Sequence, residues 1–298
     1  FGYDPDHPAP AWSHYLETVF EDKGRATLLQ EFVGAALLRM APRFERAMVV
    51  SGPPGCGKST FLKIAEALFP DERRCSVTPQ QLGDDYHSAT LAGAWLNIVF
   101  ELPEQEAMSE SSVKSMGQTI QRREPYGKPF RFSPVAAHMF ACNELPSAPG
   151  ATRAFWDRWL VVPFDRRFRN TPEQRRDLAQ VIIAEELPAV AAWAVDGALR
   201  LLENDGYTIP QSSTEALEQW EEDASPIATW ARERLKAGGF TSTRTLHEEW
   251  KPWAKEAGHH SGSRATFGRR LAQIFPSMKK DGSRGFEGEI KKPGEADA

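Results

Sequence analysis

The sequence predicts an α/β protein whose core is a parallel sheet, and three observations lead there. The apolar run "AMVV" (47–50) passes straight into "SGPPGCGKST" (51–60) and then into a helical pattern. Across residues 43–165, short apolar runs alternate with helical or polar segments, the rhythm of strands joined by crossovers. Three of these runs end in a residue able to do chemistry, and parallel sheets place ligand sites beyond the carboxyl ends of their strands.

Along the chain, residues 8–41 read as helical, with "AWSHYLETVF" and "LLQEFVGAALLRM" amphipathic. "RAMVVSG" (46–52) reads as a short buried strand. The stretch after it fits G-x-x-x-x-G-K-[ST] at Gly52, Gly57, Lys58 and Ser59. Its glycines let the backbone curl with N–H groups turned inward on an anion. Lys58 is placed to reach the β- and γ-phosphates of a nucleotide, and the Ser59 hydroxyl to sit on Mg²⁺. The expected nucleotide-binding set is Gly52, Pro53, Pro54, Gly55, Cys56, Gly57, Lys58, Ser59 and Thr60. "KSTFLKIAEALF" (58–69) reads as a helix with Phe61, Leu62, Ala65 and Leu68 inward, stopped with the help of Pro70. The phosphates then lie on the positive end of that helix.

"AWLNIVF" (94–100) ends at Glu101, and "VAAHMFAC" (135–142) ends at Asn143. If these strands neighbour the first, one rim gathers a phosphate cradle, a carboxylate and an amide, a set suited to nucleoside triphosphate hydrolysis. Glu101 is a candidate to hold Mg²⁺ through water or to polarise the attacking water, and Asn143 to orient that water or touch the γ-phosphate. A second acid, if needed, comes from Glu104 or Glu106, so metal ligand and base do not separate. "WLVVPF" (159–164) reads as a further strand, with Arg153 and Arg158 just before it. A guanidinium is always charged and can fork onto a γ-phosphate. Arg158 is the better candidate for such a finger, and Arg153 for a surface ion pair.

Between the two site strands, residues 113–131 carry Lys114, Arg122, Arg123, Lys128 and Arg131 against Glu124, with Tyr126 and Phe130 interleaved. Basic groups of this kind track phosphates regardless of sequence, and an aromatic can stack on a base. A solvated hairpin with ordinary charges is the alternative. Residues 171–204 read as one or two helices packed on the sheet and broken near Pro188, and "DGYTIPQSS" (205–213) as a turn-rich linker.

Residues 226–292 read as helix, helix, helix, then hairpin. Ser242 or Thr243 starts one helix and Gly258 stops it; Ser263 caps the next. Phe267 and Leu271, with Ile274 or Phe275, form the apolar stripe of that helix, leaving Arg264, Arg269 and Arg270 off it. "MKKDGSRGFEGEI" (278–290) has turn chemistry at Asp281-Gly282 and Arg284-Gly285, flanked by Lys279 and Lys280. This is the pattern of a winged helix, with Arg264, Arg269, Arg270, Lys279, Lys280 and Arg284 as its candidate DNA contacts. A protein-docking winged helix is the alternative.

Composition bounds the reading. A chain of 298 residues accommodates about two domains, and 41% hydrophobic content with nine Trp fills a core. The Trp residues at 220, 230, 250 and 253 are most simply core. No apolar run approaches the roughly 18 residues of a membrane helix, and no signal peptide is visible. Cys56, Cys75 and Cys142 are odd in number and lack metal-like spacing, which favours a reducing, cytoplasmic setting. Asp4 and Asp6 stand on either side of Pro5, with Pro8 close behind, and read as loop; His259 and His260 lack further ligands at zinc spacing. The net charge of −5 hides an asymmetry: residues 225–298 carry 14 Lys/Arg against 9 Asp/Glu, on an otherwise acidic chain. A basic end hints at nucleic acid.

With these residues assembled, the chain resembles the helicase portion of the phage and poxvirus primase-helicase family, within superfamily 3 of the helicases. "YDPDHPAPAWSHYLETVF" resembles the entry into that family's helical collar and "GPPGCGKST" its phosphate loop. "LAGAWLNIVFELPEQE" resembles its acidic strand motif, and "VKSMGQTIQRREPYGKPFRFSP" the motif that follows. "HMFACNELP" resembles its sensor, and "AFWDRWLVVPF" its arginine-finger segment. The order and spacing of the six are more specific than any one. Two departures stand out: Met116-Gly117-Gln118 replaces a Gly-Gly-Asp-like turn, and fewer acids follow the strand ending at Glu101.

The resemblance implies an AAA+-like ATPase core (43–204) behind an N-terminal helical collar segment (1–42). A linker (205–225), a C-terminal winged-helix domain (226–292) and a tail (293–298) complete the expectation. It implies a homo-oligomeric ring, usually a hexamer, around single-stranded DNA, with duplex or fork DNA on the winged helix. ATP and Mg²⁺ sit between subunits, with Lys58, Ser59, Glu101 and Asn143 on one side and Arg158 reaching in from the next. The basic 113–131 segment faces the pore, with Lys114 and Lys128 favoured. Phe1 in place of an initiator Met leads to the expectation of a longer protein, with any primase part upstream and a bacterial cytoplasm as the setting for a phage or mobile element. The expected activity is an ATP-dependent DNA helicase in DNA replication. The rivals are a DNA-binding initiator or loader ATPase without processive unwinding, and a small-molecule kinase, against which the basic end argues.

Overall fold

Strands β1 (Ala47–Ser51), β2 (Arg74–Cys75), β3 (Leu96–Val99), β4 (Ile120–Arg123), β5 (Pro129–Phe132), β6 (Ala137–Cys142) and β7 (Trp159–Pro163) organise the first part of the chain. Five of them form one parallel sheet in the order β2-β3-β6-β1-β7, while β4 and β5 pair apart as an antiparallel hairpin. This is a computed structural model, and it describes residues 2–103, 107–109, 113, 116, 120–123, 129–148, 151–272, 275–280 and 282–291. The chain divides into two compact units, Phe1–Gln219 and Trp220–Ala298.

Every residue of β1, β3 and β6 is buried. Strands covered on both faces lose the alternation of polar and apolar positions, so they read as unbroken apolar runs. The helices of this unit are α1 (Pro10–Val19), α2 (Lys23–Leu37), α3 (Ala41–Phe44), α4 (Lys58–Ala67), α5 (Asp85–Ala89), α6 (Arg153–Trp156), α7 (Leu178–Glu185) and α8 (Leu187–Asn204). Residues of α1 and α2, among them Trp12, Tyr15, Leu28 and Phe32, belong to the same apolar cluster as Met48, Met139 and Val162 of the sheet.

The expected break in residues 171–204 falls at Glu186, where α7 and α8 meet at 85°. The reason is a cap supplied from a distance. Helix α1 has Ala9 as its N-cap, whose side chain cannot accept a hydrogen bond, and the buried Glu186 carboxylate takes the amides of Ala11 (2.9 Å) and Trp12 (2.7 Å) instead. Helix α7 lies on α4, and α8 lies on α2, which itself meets β6 and β7, while Ile182 of α7 and Val190 of α8 share the apolar cluster of Met48 and Met139. The α2–α8 contact is very close. A methyl added at Gly34 would collide with the Ala194 carbonyl, and one at Gly197 with the Gln30 carbonyl. Among the described residues no single helix is long and apolar enough to cross a membrane; α7 and α8 satisfy such a test only when joined across their bend. Within the segment expected as linker, Gln211–Asp223 is helical (α9).

The second unit runs α10 (Pro226–Arg234), β8 (Leu235–Ser242), α11 (Thr243–Glu256), α12 (Arg264–Leu271), β9 (Ser277–Lys280) and β10 (Ser283–Ile290), with the sheet ordered β8-β10-β9. Its core is Trp230, Leu246, Trp250, Phe267, Leu271 and Phe286. Ser242 and Ser263 cap α11 and α12 through Thr245 N (3.2 Å) and Thr266 N (3.2 Å). Two expectations are corrected. Strand β8 stands where no strand was expected, because Gly238 and Gly239 (φ 102° and 69°) interrupt the β pattern of "LKAGGFTS". Arg284 and Gly285 lie within β10 rather than in a turn, leaving Gly282 (φ 78°) to turn the hairpin.

Candidate functional site

The glycine-rich loop leaves β1 at Ser51 and enters α4 at Lys58. Its glycines are used as such: a side chain on Gly52 would strike the Phe164 carbonyl, and Gly57 (φ 102°) is the α4 cap with no side chain to take the first amides of the helix. Those amides are left pointing out of the N-terminus, as an anion site requires. Lys58 is 8% exposed. Its ammonium donates to the carbonyls of Gly52 (2.5 Å) and Pro53 (3.2 Å) and to Asn143 Oδ1 (3.3 Å), with Cys56 Sγ at 3.6 Å. All of these partners are neutral. Among the described residues no carboxylate pairs with Lys58, and a buried cation lacking a counter-ion is costly, so this pocket of charge favours a bound anion.

The sheet register fixes what shares the rim. Ser51 is level with Cys142 of β6 on one side and Pro163 of β7 on the other, so Asn143 emerges beside the loop. Glu101 is exposed just past β3, and the neighbouring Leu102 amide donates to Ala141 O (2.8 Å). It therefore stands at the same carboxyl rim, with β6 between its strand and β1. Arg158 does not. Its carbonyl accepts from the Ala47 amide (2.7 Å) at the amino end of β1, and its guanidinium contacts Ala154 O (2.6 Å) and Glu45 (3.6 Å). Four residue steps of β-strand, about 13 Å, separate that end from the loop. Arg158 cannot serve its own chain's loop. Arg153 is exposed and pairs with Asp157 at 2.8 Å, in keeping with a surface ion pair.

The structure adds residues that motif reading passed over. Tyr15 of α1 donates from its hydroxyl to Gly57 O (3.1 Å), and burial pushes its pKa well up, so it stays a phenol. The "DRRFRN" stretch after β7 folds over the loop: the Phe168 amide donates to Gly55 O (2.8 Å), and a side chain on Gly55 would stand 2.6 Å from the Arg169 Cβ. Nothing local in the sequence marks these residues, because their role comes from contact across the fold. Behind the rim, the buried Asn97 amide bonds both the N–H and C=O of Val77 (2.8 Å each) and donates to His138 Nδ1 (3.0 Å). Burial lowers the His138 pKa to about 4, so the imidazole is neutral.

In the second unit, Arg264, Arg269 and Arg284 line one concavity of about 900 Å³, joined by Arg244, which sequence reading did not single out. Ser242, Thr243, Ser263 and Ser283 put hydroxyl groups along the same wall. Arg270, Lys279 and Lys280 are outside that lining. Lys279 lies directly across the ladder from Arg284, and like charges placed opposite destabilise a sheet unless an anion joins them.

The hairpin of β4 and β5 carries Arg122 and Arg123 on its first strand, with Arg122 paired to Phe130. Lys114, Lys128, Glu104, Glu106, Tyr126 and the Gly117-Gln118 pair lie outside the described residues. Among the described residues no cluster of three or more His, Cys, Asp or Glu forms a metal cage.

Residues 50–158, from the end of β1 to Arg158, match a family of unknown function (DUF5906). No curated protein matches the chain. Among solved structures, the apo C-terminal region of NrS-1 (residues 305–718) superposes with a TM-score of 0.52 at 13% identity, covering 96% of this chain and 77% of that one. A second apo structure of that region gives 0.53 at 12% identity. The likeness is one of fold. A JCV helicase structure aligns over 72% of this chain at 12% identity, with a TM-score of 0.30 that is too low to argue from.

Proposed function

We propose that this chain is an ATP-dependent DNA motor of the superfamily 3 helicase kind, with an AAA+-like ATPase core and a C-terminal winged helix. The observation that carries the proposal is the Lys58 ammonium, buried at the mouth of the glycine loop between neutral oxygens, with Asn143 at 3.3 Å. Its charge is matched by the β- and γ-phosphates of a nucleotide on the α4 N-terminus. Ser59 and Glu101 are oxygen donors of the hard kind that suits Mg²⁺, a cation that keeps several waters and takes few protein ligands beside phosphate oxygens. The ion would supply charge neutralisation on the phosphates. Asn143, fixed by Lys58, orients water or the γ-phosphate; Glu101, on the same rim and open to solvent, is the base or the water-mediated metal ligand.

Arg158 enters this reading only from another copy of the chain, since it occupies the far rim of its own sheet. That supports a homo-oligomeric ring with ATP between subunits, for which a hexamer is the proposed size. The β4–β5 hairpin is proposed to face a central pore and to follow the DNA backbone with Arg122, Arg123, Lys114 and Lys128. The helix, strand, helix, helix, hairpin order of the second unit supports a winged helix, and its arginine-lined concavity supports duplex or fork DNA as the partner.

The test is ATPase rate with and without single-stranded DNA, for this chain and for Lys58→Ala. Stimulation by DNA is expected, with a loss of about a hundredfold or more in the variant, the scale of removing a group aimed at developing charge. A rate indifferent to DNA ends the motor reading. The same concavity also suits an initiator or loader, which hydrolyses ATP but leaves a forked duplex intact; strand displacement separates the two.

A further inference from the structure

The arginine-lined concavity of the second unit gathers more positive charge than one internal phosphate can match. Arg244 comes from α11, Arg264 and Arg269 from α12 and Arg284 from β10, so three elements supply guanidinium groups to one space of about 900 Å³. All four arginines are exposed, and among the described residues no Asp or Glu lines the space. Glu248, one turn along α11 from Arg244, is already taken by Lys251 at 2.9 Å. A cleft lined by one sign of charge focuses its field and concentrates the opposite charge. The frame is also fixed in advance. The Thr243 hydroxyl donates to Arg284 O (3.0 Å), fastening the start of α11 to β10. A methyl added at Gly268 would stand 2.9 Å from Thr243 Cγ2, so α12 lies close on α11 with bare backbone between Arg264 and Arg269.

We infer that this concavity binds the terminal phosphate of a DNA strand, a phosphomonoester, in preference to the phosphodiesters within a strand. The inference rests on the DNA reading of the second unit and narrows it to strand ends. A phosphodiester carries a single charge and leaves only its two unesterified oxygens to accept. A phosphomonoester carries about −1.5 to −2 at neutral pH and three strong acceptor oxygens. Each guanidinium presents a planar fork of N–H groups that takes two such oxygens at once. Four forks arriving from three elements therefore match the monoester in both charge and acceptors. Shape favours the same occupant. An internal phosphate is flanked by chain on both sides, which keeps donors to the remaining faces. A strand end leaves in one direction only, so residues of α11, α12 and β10 can close around it.

The test gives the full chain short blunt duplexes of one sequence that differ only at their ends: 5′-phosphate, 3′-phosphate, or hydroxyl throughout. A fluorophore on an internal base leaves the ends free, and anisotropy reads the affinity. One phosphorylated duplex is expected to bind about tenfold tighter than the hydroxyl-ended one, the scale of adding hydrogen bonds to a charged group. Arg264→Ala and Arg284→Ala should each reduce that preference to about twofold or less. Arg264→Lys should reduce it too, since it keeps the charge and loses the fork. These side chains are exposed, so the variants keep the fold. Inorganic phosphate should displace the phosphorylated duplex only at about a hundredfold higher concentration than unlabelled phosphorylated duplex; displacement at equal concentration marks a site for free phosphate and overturns the inference. Equal affinity for all three duplexes, or a preference that survives in every variant, also overturns it, and leaves duplex binding by the chain in place. Binding of no duplex overturns both readings.

Discussion

Lys58 and His138 are two buried nitrogen groups set in different surroundings. Lys58 is buried among carbonyl oxygens and the Asn143 amide, and among the described residues no carboxylate pairs with it. His138 is instead enclosed, and burial lowers its pKa from 6.5 to about 4. The folded chain thus resists a proton that the unfolded chain accepts. At pH above 6.5 both states are neutral there and the contribution to stability is complete. As pH falls towards 4 the unfolded state gains the proton first, and stability declines by on the order of 3 kcal/mol across that window. Urea denaturation between pH 7 and 4 should show this loss, and His138→Gln should flatten the curve by about one proton's worth of slope. An unchanged slope in the variant shows that other groups govern the acid side.

At the scale of elements, the α2–α8 pair is the most sensitive joint in the first unit. Gly34 and Gly197 bring two helix backbones together at a distance no side chain allows. Gly34→Ala should push the helices apart and cost about 2–3 kcal/mol, in the range of overpacked cores, despite the better helix propensity of Ala. Chemical denaturation measures it, and a cost below about half a kcal/mol would mean the pair relaxes freely. Gly197→Ala acts on the same joint, so the double variant should cost less than the sum. The corner between α7 and α8 has a different logic. Glu186 ends one helix and caps another, so a sequence break near Pro188 is also a tertiary clasp on α1. Because α1 forms a wall of the cavity beside the glycine-rich loop, that clasp helps hold the cavity in shape.

At the scale of the whole molecule, the proposed reaction cannot be completed within one chain, because Arg158 and Lys58 occupy opposite rims of the same sheet. Specific ATPase activity should therefore rise with protein concentration as copies associate. Arg158→Ala and Lys58→Ala should each be nearly inactive alone, yet mixed together recover part of the activity, since some interfaces then pair an intact loop with an intact arginine. The effect of a trans arginine is on the order of a thousandfold in rate, so partial recovery is easily read. Turnover independent of concentration, with no recovery on mixing, overturns the shared site.

The sequence alone determined the glycine-rich loop, the strands and helix around it, and the position of Glu101 and Asn143 just past their strands. These are local signals: a buried parallel strand is an apolar run, and a loop that cradles phosphate needs glycines and lysine at fixed spacing. It also located the caps Ser242 and Ser263, because a helix start is written in a few consecutive residues. Only the tertiary structure decided that Arg158 lies on the far rim, that Tyr15 and Phe168 brace the loop, and that Arg244 joins three other arginines. It also placed β8, whose glycines hide a strand that exists only because β10 pairs with it. Strand order, and the meeting of segments some 150 residues apart such as His14 and Phe168, depend on which surfaces bury each other, and no local stretch of chain encodes that.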